Sequence, residues 1–592
     1  MEKHDKLNEV QMHEELKLEW TYGFSPACGV HALSPQLLFY VASNVAVLFD
    51  ITHRKQTLLR SGHNAPITAV AIGSVGNTSN GRIVATADDS ERICVWNVHS
   101  KCGAHDATAS LKHTILHGGN ACNSVAISPD GNFIGALLVC SEEFEGEGQL
   151  HVLAQRLKVW DLRLNRRRPF ASTSKVVTSG GNVNVADGYL HTSLEFSPTP
   201  IRSDDGSISE LVSNNPSEVC FWKLFGGDEE NEEGESESLL KLSVSRPSIS
   251  KQANALFAPN QFLRTAFLPG STQVLTSTKS GDIVVWDYLR SIRADLVGNN
   301  GSEDRVFVKS IQSVKKGKVV DIRIFENHIV VAGKDEIIFY DFELRLETWF
   351  DCSCVGIGQI IGFDVVLPTR KCKSLHGPAI VVATNEKKIS LASLSNHSEK
   401  YLLFQPLVEV IDDFGVSINF QASGKKFAVA YPTGKIQVWD VLDHSLLLSH
   451  SIDIHGHLNV IKYLESPEST NVLAVGTTFG KLYLIGFEDD KHTAQILSSG
   501  DNSKVAVINS SSDGKWIAIA KANGHIALYQ RCVIGGLPTN ADNNSFTSRW
   551  KFEYIDRYKC HSADVISLDF FGESTGNEVL VSTHCCTLSL SN

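Results

Sequence analysis

Six segments along the chain carry one pattern of apolar and polar positions, a Gly-rich or polar turn followed by an alternating apolar strand that ends in an aromatic and a polar residue. They are residues 92–97 (RICVWN), 157–161 (LKVWD), 219–223 (VCFWK), 283–287 (IVVWD), 337–341 (IIFYD) and 436–440 (IQVWD). Weaker copies lie before, between and after them at residues 45–50 (VAVLFD), 387–393 (KKISLAS), 481–486 (KLYLIG) and 525–530 (HIALYQ). Together they make about ten repeats, spaced at or somewhat above the roughly 40 to 50 residues of a four-stranded propeller blade. The aromatic positions Trp96, Trp160, Trp222, Trp286, Tyr340, Trp439 and Tyr529 are the expected structural anchors of these repeats.

A second short apolar strand and a turn precede many of these aromatics, as in RIVATADDS before Trp96 and KFAVAYPTGK before Trp439. Strand, turn, strand is a hairpin. A further strand is marked at residues 67–72, 124–128, 193–197 and 416–420, and tight turns at 128–131 and 512–514 suit the connections. The reading is all-β: tandem β-propellers with about ten to twelve blades, too many for one ring of the usual four to eight. Strong Trp repeats with long insertions fill the first half, and shorter repeats with Tyr or Leu in the Trp position fill the second. That change places the seam near residues 325–345, giving a flexible segment at 1–15, a first propeller at 16–335 and a second at 336–592. The C-terminal propeller is short of strands in its last blade unless a strand around residues 16–22 closes a ring.

Composition narrows the function. The chain has 592 residues, 42% hydrophobic and 20% charged, with a formal net charge of −12, which argues against nucleic acid as the main partner. The charged N-terminus lacks a signal-peptide core, and no apolar run approaches the length needed to cross a bilayer, so membrane insertion is not expected. The 13 cysteines show no framework and read as reduced thiols of a cytosolic compartment. The acidic run at 228–238, within a loop at 226–240, reads as a solvated excursion, as do residues 141–148 and 535–545. Arg166 to Arg168, without interleaved aromatics, reads as a solvent-facing loop.

Candidate chemistry is thin. Gly356, Gly358 and Gly362 miss the dinucleotide-binding spacing. Cys352, Cys354, Cys372 and His376 lack the paired CxxC spacing of a zinc site, and the vicinal Cys585 and Cys586 do not read as redox chemistry. Nucleophile-elbow, P-loop, HExxH, kinase and EF-hand patterns do not occur. An enzyme, a cofactor, a metal and a small-molecule substrate are therefore not expected.

Around Trp96 the chain carries a fuller set: Gly62-His63 before the first strand, Thr86 in the second, Asp88-Asp89 in the turn, and Trp96-Asn97 closing the third. This resembles the WD-repeat signature, and the resemblance implies a hydrogen-bonded chain of His63, Thr86, Asp89 and Trp96. A buried imidazole and indole N–H need partners in any case, so His63 is read as structural rather than as a catalytic base.

A narrower likeness follows. The phrases at residues 18–26 (LEWTYGFSP), 37–50, 274–287, 330–350 and 550–572, covering roughly residues 15 to 583, resemble the cilia- and flagella-associated WD-repeat proteins of the calmodulin- and spoke-associated complex. The resemblance implies a scaffold in the axoneme of motile cilia or flagella, with a soluble cytoplasmic pool, at the base of radial spokes. Implied partners are other subunits of that complex and radial-spoke and doublet-microtubule proteins. The implied role is to link spokes to doublets and help regulate dynein-driven bending. Those relatives continue into a C-terminal region of EF-hand character that is not matched here. Two other readings stand beside it: a cytoplasmic or nuclear WD-repeat adaptor, and a propeller hydrolase, which needs carboxylates or histidines converging on a ring's central channel.

Overall fold

The computed structural model describes residues 19–60, 62–74, 81–99, 108–143, 151–163, 171–172, 177–178, 190–198, 207–225, 241–247, 261–289, 305–315, 317–353, 358–366, 378–394, 402, 404–408, 415–454, 456–464, 472–488, 491–498, 500–532, 551–571 and 579–584. The acidic run at 228–238, Arg166 to Arg168, the loop at 535–545, Cys354, Gly356, Cys372, His376, Cys585, Cys586 and the first 15 residues lie outside the described residues.

Among the described residues eleven antiparallel sheets follow one another along the chain, nine of them four-stranded with strands paired in sequence order. These are the blades of tandem β-propellers, numbered 1 to 11 here. Blade 2 shows the plan: strands Ile67–Ser74, Gly81–Asp88, Arg92–His99 and Thr108–Leu116, in that order across the sheet. Middle strands are apolar on both faces, as in Leu37–Ala42, Ala379–Thr384 and Val472–Thr477, where every residue is buried. A sheet packed between two neighbours has no wet face, so its middle strands are runs of Val, Ile, Leu and Ala rather than the alternation expected of half-exposed strands. Fourth strands such as Thr108–Leu116 are largely exposed.

The chain divides into two compact units, Met1–Val410 and Ile411–Asn592. In the first, blades 1 to 7 have inner strands Val30–Ser34, Ile67–Ser74, Ala121–Ile127, Ser193–Phe196, Phe262–Phe267, Asp321–Phe325 and Ile360–Val366. Each successive pair of blades shares one apolar cluster, and the circuit closes where Val30, Leu38, Tyr40 and Phe49 of blade 1 pack with Val366, Val381, Ile389 and Val408 of blade 7. Among the described residues no strand is exchanged at the closure. Side chains hold it, with the Ala32 N–H donating to Asp364 Oδ2 at 2.8 Å.

The boundary expected at residue 335/336 is therefore displaced. It falls in the turn between His328–Ala332 and Glu336–Tyr340, neighbouring strands of blade 6. The exchange of Trp for Tyr at position 340 changes the anchor, not the ring. Residues 19–22 form no strand; Trp20 packs on the cluster shared by blades 1 and 7, and Thr21 exchanges hydrogen bonds with Gln56 of blade 1.

The second unit holds blades 8 to 10, beginning at Ser417–Phe420, Leu458–Tyr463 and Val505–Ser510, and blade 11, which has two strands among the described residues, Val565–Phe571 and Val579–His584. Apolar clusters join 8 to 9, 9 to 10 and 10 to 11.

Candidate functional site

The repeat anchors are all buried. Trp160, Trp222, Trp286, Trp439 and Tyr529 are among the largest fully buried side chains, and Trp96 and Tyr340 are nearly so. In blade 2 they form a polar chain. The Trp96 indole N–H donates to Thr86 Oγ1 at 3.0 Å, Thr86 Oγ1 lies 2.7 Å from His63 Nε2, and His63 Nδ1 lies 2.9 Å from Asp88 Oδ2. The donors and acceptors balance if His63 carries its proton on Nδ1, donating to the carboxylate, and accepts the Thr86 hydroxyl proton at Nε2. Burial holds the His63 pKa below the ordinary histidine value, against the pull of Asp88. Asp88 Oδ1 is itself fixed by Ser90 and the Arg92 N–H.

The carboxylate in this chain is Asp88, not Asp89. Asp89 is exposed and contributes its backbone N–H to Pro66 O at 2.9 Å. The reason is strand parity: Asp88 lies two residues beyond Thr86 and shares its face, whereas Asp89 turns away. Gly62 is required here because a Cβ would stand 2.8 Å from Trp96 Cζ2.

Other blades vary the chain. In blade 3, Ala136 takes the register position of Thr86, and Trp160 Nε1 and His117 Nε2 are buried with no hydrogen-bond partner among the described residues. In blade 5, the Trp286 indole donates to Thr276, which meets Thr265, which donates to Asn214 of blade 4. In blade 6, the Tyr340 hydroxyl donates to Val314 O at 2.6 Å.

A group of charged residues escaped notice in the sequence. His31, Glu195, Arg323 and Asp364 occupy equivalent register positions on the inner strands of blades 1, 4, 6 and 7, where blades 2, 3 and 5 carry Ala71, Ala126 and Ala266. Asp321 lies beside them, with Arg323 Nε at 3.2 Å and Arg264 Nε at 3.9 Å. Loss of solvent pushes the Glu195 carboxyl up to about 7 and His31 down to about 4, with Arg323 acting in the opposite direction on Glu195 and reinforcing the shift at His31. The signal was present as one or two charges inside short apolar strands, SLEF, DIRIF and GFDVV.

Titratable groups thus do converge on the axis of the first ring, which the hydrolase reading requires. Their partners give them another task. Glu195 takes a hydrogen bond from the Phe267 backbone of blade 5, and Asp364 takes one from Ala32 of blade 1. The same device recurs without charge. Thr68 donates to Cys122 O, Asn214 to Leu263 O, Asn459 to Val505 O and Asn509 to Leu568 O, while Ser417 and Asn419 accept from Ile461 and Tyr463 N–H groups. An inner strand has an unpaired backbone edge toward the axis, and a polar side chain from the preceding blade satisfies it.

Comparison with known proteins bears on this architecture. The family model for the CFAP251 N-terminal domain matches residues 16–414, nearly the span of the closed seven-blade unit. The chain belongs to the CFAP251 family. It is 27% identical to cilia- and flagella-associated protein 251 of Chlamydomonas reinhardtii over 95% of its length, and 23% identical to the protein of that name from Tetrahymena thermophila over 96%. It spans 64% and 55% of those relatives' own lengths. It is also 23% identical to echinoderm microtubule-associated protein-like 2 of mouse, over 87% of this chain and 67% of that one. Among the described residues no helix is long and apolar enough to cross a membrane.

Proposed function

We propose that this chain is a non-catalytic WD-repeat scaffold of the motile cilium or flagellum. In this reading it sits in the axoneme, links radial spokes to doublet microtubules and helps regulate dynein-driven bending. The observation that carries it is the family match over residues 16–414, which falls on a closed ring of seven blades. A ring whose blades are packed on both faces presents its loops and outer strands at fixed positions, which lowers the ordering cost of binding several partners at once. The partners are other subunits of the calmodulin- and spoke-associated complex, radial-spoke proteins and doublet-microtubule proteins. The relative named as a microtubule-associated protein supports contact on the microtubule side. The charges at the ring axis fit this reading because Glu195 and Asp364 are engaged with the backbone of adjacent blades. The proposal involves no nucleic acid, membrane or small-molecule substrate. Retention of the tagged chain on salt-washed axonemes after removal of membrane and soluble matrix tests it.

A further inference from the structure

Blade 4 departs from blade 2 at one point. Register places Ser213 and Cys220 where blade 2 has Thr86 and Cys94, and Asn215 where blade 2 has Asp88. The carboxylate is lost from its usual place and returns three residues later as Glu218. The histidine ring is turned over in consequence. His191 Nδ1 faces Ser213 Oγ at 2.9 Å, and Trp222 Nε1 donates to that same oxygen at 2.8 Å. Nε2 is therefore left pointing at Glu218 Oε1, 3.3 Å away, and at Cys220 Sγ, 4.0 Å away. In blade 2 the matching thiol is directed elsewhere, to Gly62 O at 3.3 Å.

Imidazole nitrogen, thiolate sulfur and carboxylate oxygen form a ligand set suited to zinc. The three atoms lie within 4.8 Å of one another. Tetrahedral zinc with bonds of about 2.0 to 2.3 Å needs edges of about 3.3 Å between N and O and about 3.6 Å between N and S. The first is already met, and the second asks Cys220 to close by a few tenths of an ångström. The imidazole also has the support a metal ligand needs, because Ser213 fixes the ring through its other nitrogen. His191 is fully buried, while the Glu218 side chain is 36% exposed and provides both the path of entry and the side on which water completes the shell. Among the described residues Glu218 also meets Asn215 Nδ2, 3.5 Å from Oε1, and Arg246 Nε, 3.8 Å from Oε2 and itself 43% exposed, a side chain that also hydrogen-bonds the Cys220 thiol and has to yield it to the ion.

We propose that His191, Glu218 and Cys220 bind one divalent ion of the zinc class, with the Cys220 proton released to solvent on binding. This departs from the sequence expectation of no metal. Cobalt(II) is the probe, added to the full-length chain after chelator treatment and dialysis. The expected result is one tightly bound equivalent, giving visible d–d bands and a near-ultraviolet thiolate-to-cobalt absorption. Cys220→Ser should lose the thiolate band, Glu218→Gln should weaken binding, and Cys140→Ser should leave both unchanged. Zinc should displace the cobalt and raise the unfolding midpoint of the parent chain but not that of Cys220→Ser. Absence of a stoichiometric thiolate band in the folded parent chain, or its persistence in folded Cys220→Ser, would overturn the site and leave a hydrogen-bonded His191–Glu218 pair only.

Discussion

Blades 2 and 3 are neighbours built on the same plan, each with a histidine before its inner strand and a buried tryptophan in its third, yet only blade 2 connects the two. Thr86 stands between Trp96 and His63 and serves both; Ala136, at the same register position, serves neither Trp160 nor His117. Both tryptophans are almost wholly buried. The ring therefore tolerates an indole without its hydroxyl, so apolar packing between blades is what the fold requires, and the polar chain adds stability where it is complete. Burying a polar group without a partner costs about 1 to 3 kcal/mol, whereas burying a large aromatic is worth more than that.

Three substitutions test that ranking, read as shifts in the urea unfolding midpoint of the full chain. Trp286 of blade 5 sets the scale of the packing contribution, since its indole ends on Thr276 and a hydroxyl relay without a histidine. Trp286→Ala should cost about 3 to 5 kcal/mol, and an unchanged midpoint would remove this residue from the core. Thr86→Val keeps the shape of blade 2 but strands the Trp96 N–H and the His63 ring, and should cost about 1 to 3 kcal/mol. If it proves neutral, the polar chain contributes nothing and the two blades are energetically alike. The smallest effect runs the other way: Ala136→Ser supplies the missing oxygen to Trp160 and His117 and should stabilise by about 0.5 to 1.5 kcal/mol. A lower midpoint would mean that the space around Ala136 cannot take one more atom.

The same comparison shows what could be read from the chain. Blade anchors can be picked out locally, each as a tryptophan or tyrosine at the end of an apolar strand, and all seven side chains are buried. The carboxylate partner of His63 was also within reach, since period two puts Asp88 on the face of Thr86 and Asp89 on the other. The ring boundary was not legible in this way. It depends on Val30 and Tyr40 packing with Val381 and Val408, residues more than 300 apart, and no repeat period marks which sheets meet. Blade 4 shows a similar limit: Asn215 in place of aspartate suggests loss of the polar chain until Glu218 is seen to reach His191 from the turn. The role of the inner-strand charges was not legible, because their backbone partners belong to adjacent blades and only the closed ring brings those together.

We propose that this chain is a fixed component of the axoneme. The direct test is to express the tagged full-length protein in its own ciliated or flagellated cells, extract membrane and matrix, wash with salt, and ask where the protein remains. Retention on the axoneme is the expected result, with depletion impairing motility while cilia still form. Complete release into the soluble fraction would contradict it.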